Sequence, residues 1–119
     1  MAKILIVDDS KIMRMNLKKV FTNLEHEVVA EASDGIEAIE AYKTHQPDIV
    51  TMDITMPNMD GIQAVEEIIK LDANAQIVMV SSHGQKDMVI DAISKGAKHY
   101  ILKPIKQEIV EDVLEKIII

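Results

Sequence analysis

Five short apolar runs recur along the chain, and each breaks off at a polar or turn-forming residue. The first is Lys3 to Val7, closed by Asp8-Asp9-Ser10. Glu27 to Ala32 follows, with Val28, Val29 and Ala30 at its centre, and then a run from Asp48 through Met52 that ends on Asp53. Ile77 to Val80 stops at Ser81-Ser82-His83-Gly84, and Ala97 to Leu102 leads into Lys103-Pro104. Apolar runs of this length, bounded by turn signals, predict buried strands. Between them the apolar period becomes helical. Its stripes are Ile12, Met13, Leu17, Val20, Phe21 and Leu24, then Ile36, Ile39, Ala41 and Tyr42, then Ile62, Val65, Ile68 and Ile69. Met88, Val89, Ala92 and Ile93 mark a fourth helix, and Ile109, Val110, Val113, Leu114 and Ile117 a fifth. Ser10, or Asp9 before it, caps the first helix, and Asp34 with Glu37 forms a capping box for the second. Asp60 and Gln63 start the third, while Gly96 stands where a left-handed cap would end the fourth.

Strands alternating with helices at about 20 to 30 residues per unit predict βαβ units and a parallel sheet. The near-continuous apolar strands agree, because parallel sheets are covered on both faces. The expected fold is therefore α/β, with one domain over residues 1–119 and no effector domain. Its 119 residues suffice for one ordinary core. A net charge of −7, with no basic run longer than Lys18-Lys19, argues against nucleic acid and anionic membrane surfaces. Without cysteine there is no disulfide framework and no Cys-rich zinc site. No apolar stretch reaches the length of a signal peptide or a membrane span, so a cytoplasmic protein without membrane insertion is expected. His26, His45, His83 and His99 are scattered and read as surface or loop residues, and most methionines as core filler. Met56 and Met59, in the loop after Asp53, find no place in that scheme. Ile117-Ile118-Ile119 leaves an apolar end that would pack on the domain or on a partner.

The candidate chemistry lies at the strand ends: Asp8 and Asp9 after strand one, Asp53 after three, Ser81 and Ser82 after four, Lys103 after five. Each has a plainer reading alone, as a helix cap, a turn residue or a solvated strand exit. Together they gather at carboxyl ends, where open α/β sheets bind their ligands. Two carboxylates about 4 Å apart repel by about 4 kcal/mol at an effective dielectric of about 20. Three of them call for a divalent ion. All-oxygen ligands favour Mg²⁺, with Mn²⁺ as the alternative, over zinc. Successive strand residues point to opposite faces, so one of Asp8 and Asp9 is expected to ligate directly and the other through water. A carboxylate beside such an ion, a lysine and a hydroxyl is equipment for phosphoryl transfer. Asp53 would attack phosphorus, Lys103 would spread charge, and Ser81 would donate to a phosphoryl oxygen.

These residues resemble the receiver domain of two-component response regulators over the whole chain. Asp8-Asp9 is similar to the family's acidic pair, Asp53 to its phosphoacceptor, and Met56-Pro57-x-Met59-Asp60-Gly61 to the loop that follows. Ser81 and Lys103-Pro104 stand where the family has a hydroxyl residue and Lys-Pro, and Tyr100 where it has a switch aromatic. Met52-Asp53-Ile54-Thr55-Met56-Pro57 and Gly84-Gln85-x-x-Met88-Val89-Ile90-x-Ala92-Ile93 point to the stand-alone chemotaxis regulators. The resemblance implies the flavodoxin-like sheet order 2-1-3-4-5, for which such regulators are themselves a standard example. Strands one and three are then neighbours roughly 4.8 Å apart, with Asp9 and Asp53 facing across the gap. It further implies phosphorylation by a histidine kinase and Mg²⁺ held by Asp9, Asp53 and the Thr55 carbonyl. Output would pass through the face of helix four, strand five and helix five, to a flagellar motor switch protein, from a monomer or weak dimer. Three positions depart from the pattern. Ile105 replaces a usual Phe, and Thr55 and His83 occupy the positions that tune water access, so the dephosphorylation rate does not carry over.

Two other functions bear on the same residues. A haloacid-dehalogenase-type phosphatase also forms an aspartyl phosphate, but Asp53-Ile54-Thr55 lacks its second carboxylate. A phosphorelay intermediate, passing the group to a histidine phosphotransfer protein, shares every residue named above.

Overall fold

Alternation along β1 (Lys3–Val7) sets the architecture, because Ile4 and Ile6 face one helical layer while Leu5 and Val7 face the other. The computed structural model describes residues 1–118. After β1 come α1 (Lys11–Asn23), β2 (Glu27–Ala32), α2 (Gly35–His45), β3 (Ile49–Asp53) and α3 (Gly61–Leu71). The chain continues through β4 (Ile77–Ser81), α4 (Lys86–Ser94), β5 (His99–Leu102) and α5 (Gln107–Ile118). All pairings are parallel and the order is β2-β1-β3-β4-β5, as the flavodoxin-like expectation requires.

The two core layers follow from the two-residue period of the strands. Ile4, Ile6, Ile49, Val78 and Ile101 pack with Leu17 and Phe21 of α1 and with Val110, Val113 and Leu114 of α5. Leu5, Val7, Val50, Met52, Ile77 and Met79 pack with Ala38 of α2, Ala64, Val65 and Ile68 of α3, and Val89 and Ala92 of α4. Carried one position onward, the same alternation sends Asp8, Asp53 and Lys103 toward the α1/α5 side. Ser81, Tyr100 and Leu102 go to the side where α4 lies. That parity divides the candidate residues into an acid–lysine group and a hydroxyl–aromatic group.

The predicted caps form. Ser10 Oγ accepts from Met13 N at 3.2 Å and Asp60 Oδ1 from Gln63 N at 2.9 Å. Asp34 Oδ1 accepts from Glu37 N at 2.8 Å. Each such cap is worth about 1 kcal/mol. The capping box closes one residue early: the Glu37 carboxylate returns to Ser33 N rather than to Asp34. Gly96 takes φ +125, and a Cβ there would press on Ile69.

Five predicted stripe residues are exposed: Ile12, Ile36, Met88, Ile93 and Ile109. Ile12 is 73% exposed, since it lies about 140° around the helix from Leu17 at 3.6 residues per turn. Ile36, in the first turn of α2, is 51% exposed. Met56 is buried and Met59 packs against the core, so the loop after Asp53 is held by apolar as well as polar contacts. At the apolar chain end, Ile117 packs half-buried on the α1/α5 layer, while the side chain of Ile118 and all of Ile119 lie outside the described residues.

Candidate functional site

Three strands deliver the acid–lysine group. β1 ends at Val7, whose partner in β3 is Met52, so Asp8 and Asp53 leave adjacent strands at the same level. Asp8, Asp9 and Asp53 each offer an oxygen, and the three atoms lie within 4.8 Å of one another. Asp8 and Asp53 are buried, whereas Asp9 is exposed at the mouth. Lys103 reaches in from the end of β5, its Nζ 3.5 Å from Asp53 Oδ1 and 3.6 Å from Asp8 Oδ2. Gly61 closes the loop behind Asp53: its N–H donates to the Ile54 carbonyl at 2.7 Å, and a Cβ on it would overlap the Asp53 carbonyl.

The charges in this cluster do not balance. Burial, and then the neighbouring Asp8 charge, push the Asp53 carboxyl up to about 6, against the opposing pull of Lys103 and the Ile54 N–H. Asp8 Oδ1 accepts from Ser10 N at 2.9 Å, but Asp8 Oδ2 is buried without a hydrogen-bond partner and sees Lys103 only at ion-pair distance. An orphaned buried carboxylate oxygen costs about 1–3 kcal/mol or more. Such an atom beside two further carboxylates fits a hard divalent cation.

The hydroxyl–aromatic group is separate. Ser81 is fully buried at the end of β4, and its Oγ has no hydrogen-bond partner. It lines a cavity of about 350 Å³ together with His83, Val89, Ile93, Tyr100 and Leu102. Tyr100 stands at its rim, 50% exposed. The main chain couples the two groups, because Lys103 N donates to the Ser81 carbonyl at 2.7 Å. Thr55 and His83 are both exposed.

Three polar residues near the site escaped the sequence reading. Arg14 donates through Nη1 to the Asp8 carbonyl at 2.7 Å and through Nε to Glu31 Oε1 at 3.1 Å, fixing the turn of the acidic pair. Gln85 accepts from Ser82 N at 2.8 Å and donates to Thr55 Oγ1 at 3.2 Å, bridging the loops after β4 and β3. Asn58 donates to Asp34 Oδ2 at 2.7 Å. Only Asn58 carried a signal in the sequence, as an asparagine in a Pro-Asn…Asp-Gly turn. Arg14 and Gln85 look like ordinary helix residues until the strands are placed.

The response regulator receiver domain profile matches residues 4–115. The chain is 54% identical to chemotaxis protein CheY of Bacillus subtilis over 114 residues, 96% of this chain and 95% of that protein. It is 52% identical to CheY of Thermotoga maritima over 115 residues, 97% and 96% of the two chains. Its structure resembles a chain of the CheX–CheY–BeF₃–Mg²⁺ complex from Borrelia burgdorferi with a TM-score of 0.93. The identity there is 39%, over 98% of this chain and 89% of that one. Among the described residues no helix is long and apolar enough to cross a membrane. A profile matched over nearly the whole of this chain, with relatives at this identity and coverage, means that the chain belongs to the response regulator receiver domain family.

Proposed function

We propose that this chain is the phosphoacceptor of a chemotaxis two-component system, taking a phosphoryl group from a histidine kinase onto Asp53 and switching a protein-binding face. The observation that carries this reading is the trio of carboxylates within 4.8 Å, two of them buried, with one ammonium 3.5–3.6 Å away. Asp8, Asp9 and Asp53, with the Thr55 carbonyl, would hold the Mg²⁺, and Mn²⁺ suits the same oxygens. When bound, the cation neutralises the carboxylates and the transferring phosphoryl oxygens.

Asp53 Oδ forms the new bond to phosphorus while the P–N bond to the donor histidine breaks. The electron pair returns to the imidazole nitrogen. Lys103 moves from pairing two carboxylates to pairing the new phosphoryl group. Ser81 Oγ, unpartnered and buried beforehand, gains an acceptor. Two charge-assisted contacts at about 1.5–3 kcal/mol each total about 3–6 kcal/mol, against about 5.5 kcal/mol to take a switch from 1:99 to 99:1. Relief of the orphaned hydroxyl adds to the same side. As Ser81 moves toward the phosphoryl, Tyr100 turns into the cavity they share, and the α4–β5–α5 face changes shape. That face exposes Met88, Ile90, Ile93 and Leu102, apolar residues suited to a protein partner such as a motor switch component.

Incubation with phosphoramidate and Mg²⁺ should add one phosphoryl group to the wild-type chain, mapped to Asp53 by borohydride trapping. No labelling, or labelling elsewhere, would overturn the proposal. A pull-down with beryllofluoride then separates roles: a motor protein supports chemotaxis, a histidine phosphotransfer protein a relay. A second prediction concerns Ser81→Ala. Because Oγ is buried with no partner to lose, the variant should unfold in urea no more easily than the wild type. Its stability should rise by up to about 1–3 kcal/mol as the desolvation cost of the hydroxyl is removed. The beryllofluoride-induced change at Tyr100, read by NMR, should weaken about 10–100-fold. Equal responses in the two proteins would remove Ser81 from the switch.

A further inference from the structure

Resting on the reading of Asp53 above, we propose that Asp34 and Asn58 are positioning residues for the cation site, their hydrogen bond setting the loop that carries Thr55. That loop, Ile54 to Asp60, is anchored in two ways. Its first half is held by the core, through buried Ile54 and Met56. Its second half is more exposed, with Met59 alone packed against the core, and is tied to the turn between β2 and α2 by polar contacts. Gly35 N donates to the Met59 carbonyl at 3.0 Å, and Asn58 Nδ2 donates to Asp34 Oδ2 at 2.7 Å. Gly35 lets Met59 approach so closely that a Cβ there would meet Met59 Cγ at 2.6 Å.

Asp34 divides its carboxylate between two duties. Oδ1 caps α2 on Glu37 N, and Oδ2 takes Asn58. Asp34 is buried at 7% exposure, so its partners hold it in one orientation. Asn58 itself sits at φ +66, a backbone that asparagine accepts better than most residues. Just before this turn, the Ala32 carbonyl at the end of β2 accepts from Asp8 N at 3.0 Å, so the end of β2 holds Asp8 while the turn that follows it holds the loop carrying Thr55. Thr55 has no burial of its own, and its hydroxyl is held only by Gln85 among the described contacts.

The variants follow from this geometry. Asn58→Gly keeps the left-handed backbone and removes the amide. Asp34→Ser keeps a helix cap and removes the reach to Asn58. Asp34→Asn keeps both, because a turned Asn58 amide presents its oxygen to the new amide. Mg²⁺ would be titrated against the amide NMR signals of Asp9 and Thr55, with urea unfolding run in parallel. N58G and D34S are expected to bind Mg²⁺ about 10-fold more weakly, with D34N near wild type. Their phosphorylation by phosphoramidate should recover the wild-type rate at saturating Mg²⁺. Wild-type affinity in N58G, or equal weakening in D34N and D34S, would overturn the positioning role. Absence of Mg²⁺ binding by the wild-type chain would instead overturn the proposed function on which it rests.

Discussion

Asp53→Asn is expected to abolish phosphoryl acceptance and, without metal, to stabilise the protein near neutral pH by about 1–3 kcal/mol. The sign follows from the direction of the Asp53 shift. Its carboxyl titrates at about 6 in the folded chain against an ordinary 3.8, chiefly because burial and the Asp8 charge disfavour ionisation. Between those values the folded chain keeps a proton that the unfolded chain has released. The Asp53 contribution to stability therefore falls as pH rises from about 4 to about 6 and stays low above that. Asparagine removes the charge, and its amide oxygen can still accept from Ile54 N. The stability gap between variant and wild type should be absent below about pH 4, open through the interval, and be constant above it. Urea unfolding with EDTA across that range measures it. Added Mg²⁺ should narrow the gap by stabilising the wild type more than the variant. A gap that does not change with pH would mean that the Asp53 charge is not what costs stability.

Lys103→Met should move two properties of the site in opposite directions. Lys103 Nζ stands 3.5 Å from Asp53 and 3.6 Å from Asp8, where it is the cation that offsets them. Without it, the metal-free protein should lose about 2 kcal/mol near neutral pH, since two buried carboxylates lose their partner. The Asp53 carboxyl should titrate higher still, because Lys103 is the main influence lowering it. Mg²⁺ should nevertheless bind about 10-fold more tightly, as relieving ammonium–cation repulsion is worth about 1–2 kcal/mol even at the dielectric of water. Phosphorylation and the response at Tyr100 should fall about 10–100-fold, the cost of one charge-assisted contact. Calorimetric Mg²⁺ titration and phosphoramidate kinetics on one preparation test both. Weaker Mg²⁺ binding in the variant would show that Lys103 supports the cation rather than competing with it.

The strands and helices were legible because their periods differ and because caps such as Ser10, Asp34 and Asp60 are chemically marked. Strand ends were legible too, and with them Asp8, Asp9, Asp53, Ser81 and Lys103 as a set. Helix faces were read less well. Ile12 and Ile36 continue their stripes in sequence yet lie outside them in space, because a helix resting on a sheet buries only one arc of its surface. The supporting polar residues were hidden. Gln85 reaches Thr55 across 30 residues of chain, and Arg14 turns back onto the main chain of Asp8 while pairing with Glu31 of β2. Those contacts depend on how the strands are placed, and no local spacing announces them.

What the sequence alone determined is the inventory: five strands, five helices, and a polar residue at each exit that matters. Those features are local, set by side-chain period, capping and turn chemistry over a few residues. Only the tertiary structure decided how the inventory is divided. Strand parity sends Asp8, Asp53 and Lys103 to one face and Ser81 and Tyr100 to the other, while the main-chain bond from Lys103 to Ser81 joins them. Burial then does what no residue type can do alone. It lifts the Asp53 carboxyl to about 6, and it leaves Asp8 Oδ2 and Ser81 Oγ without hydrogen-bond partners among the described residues. Both effects arise from water removed by packing elsewhere in the fold, which is why neither was visible in the order of the residues.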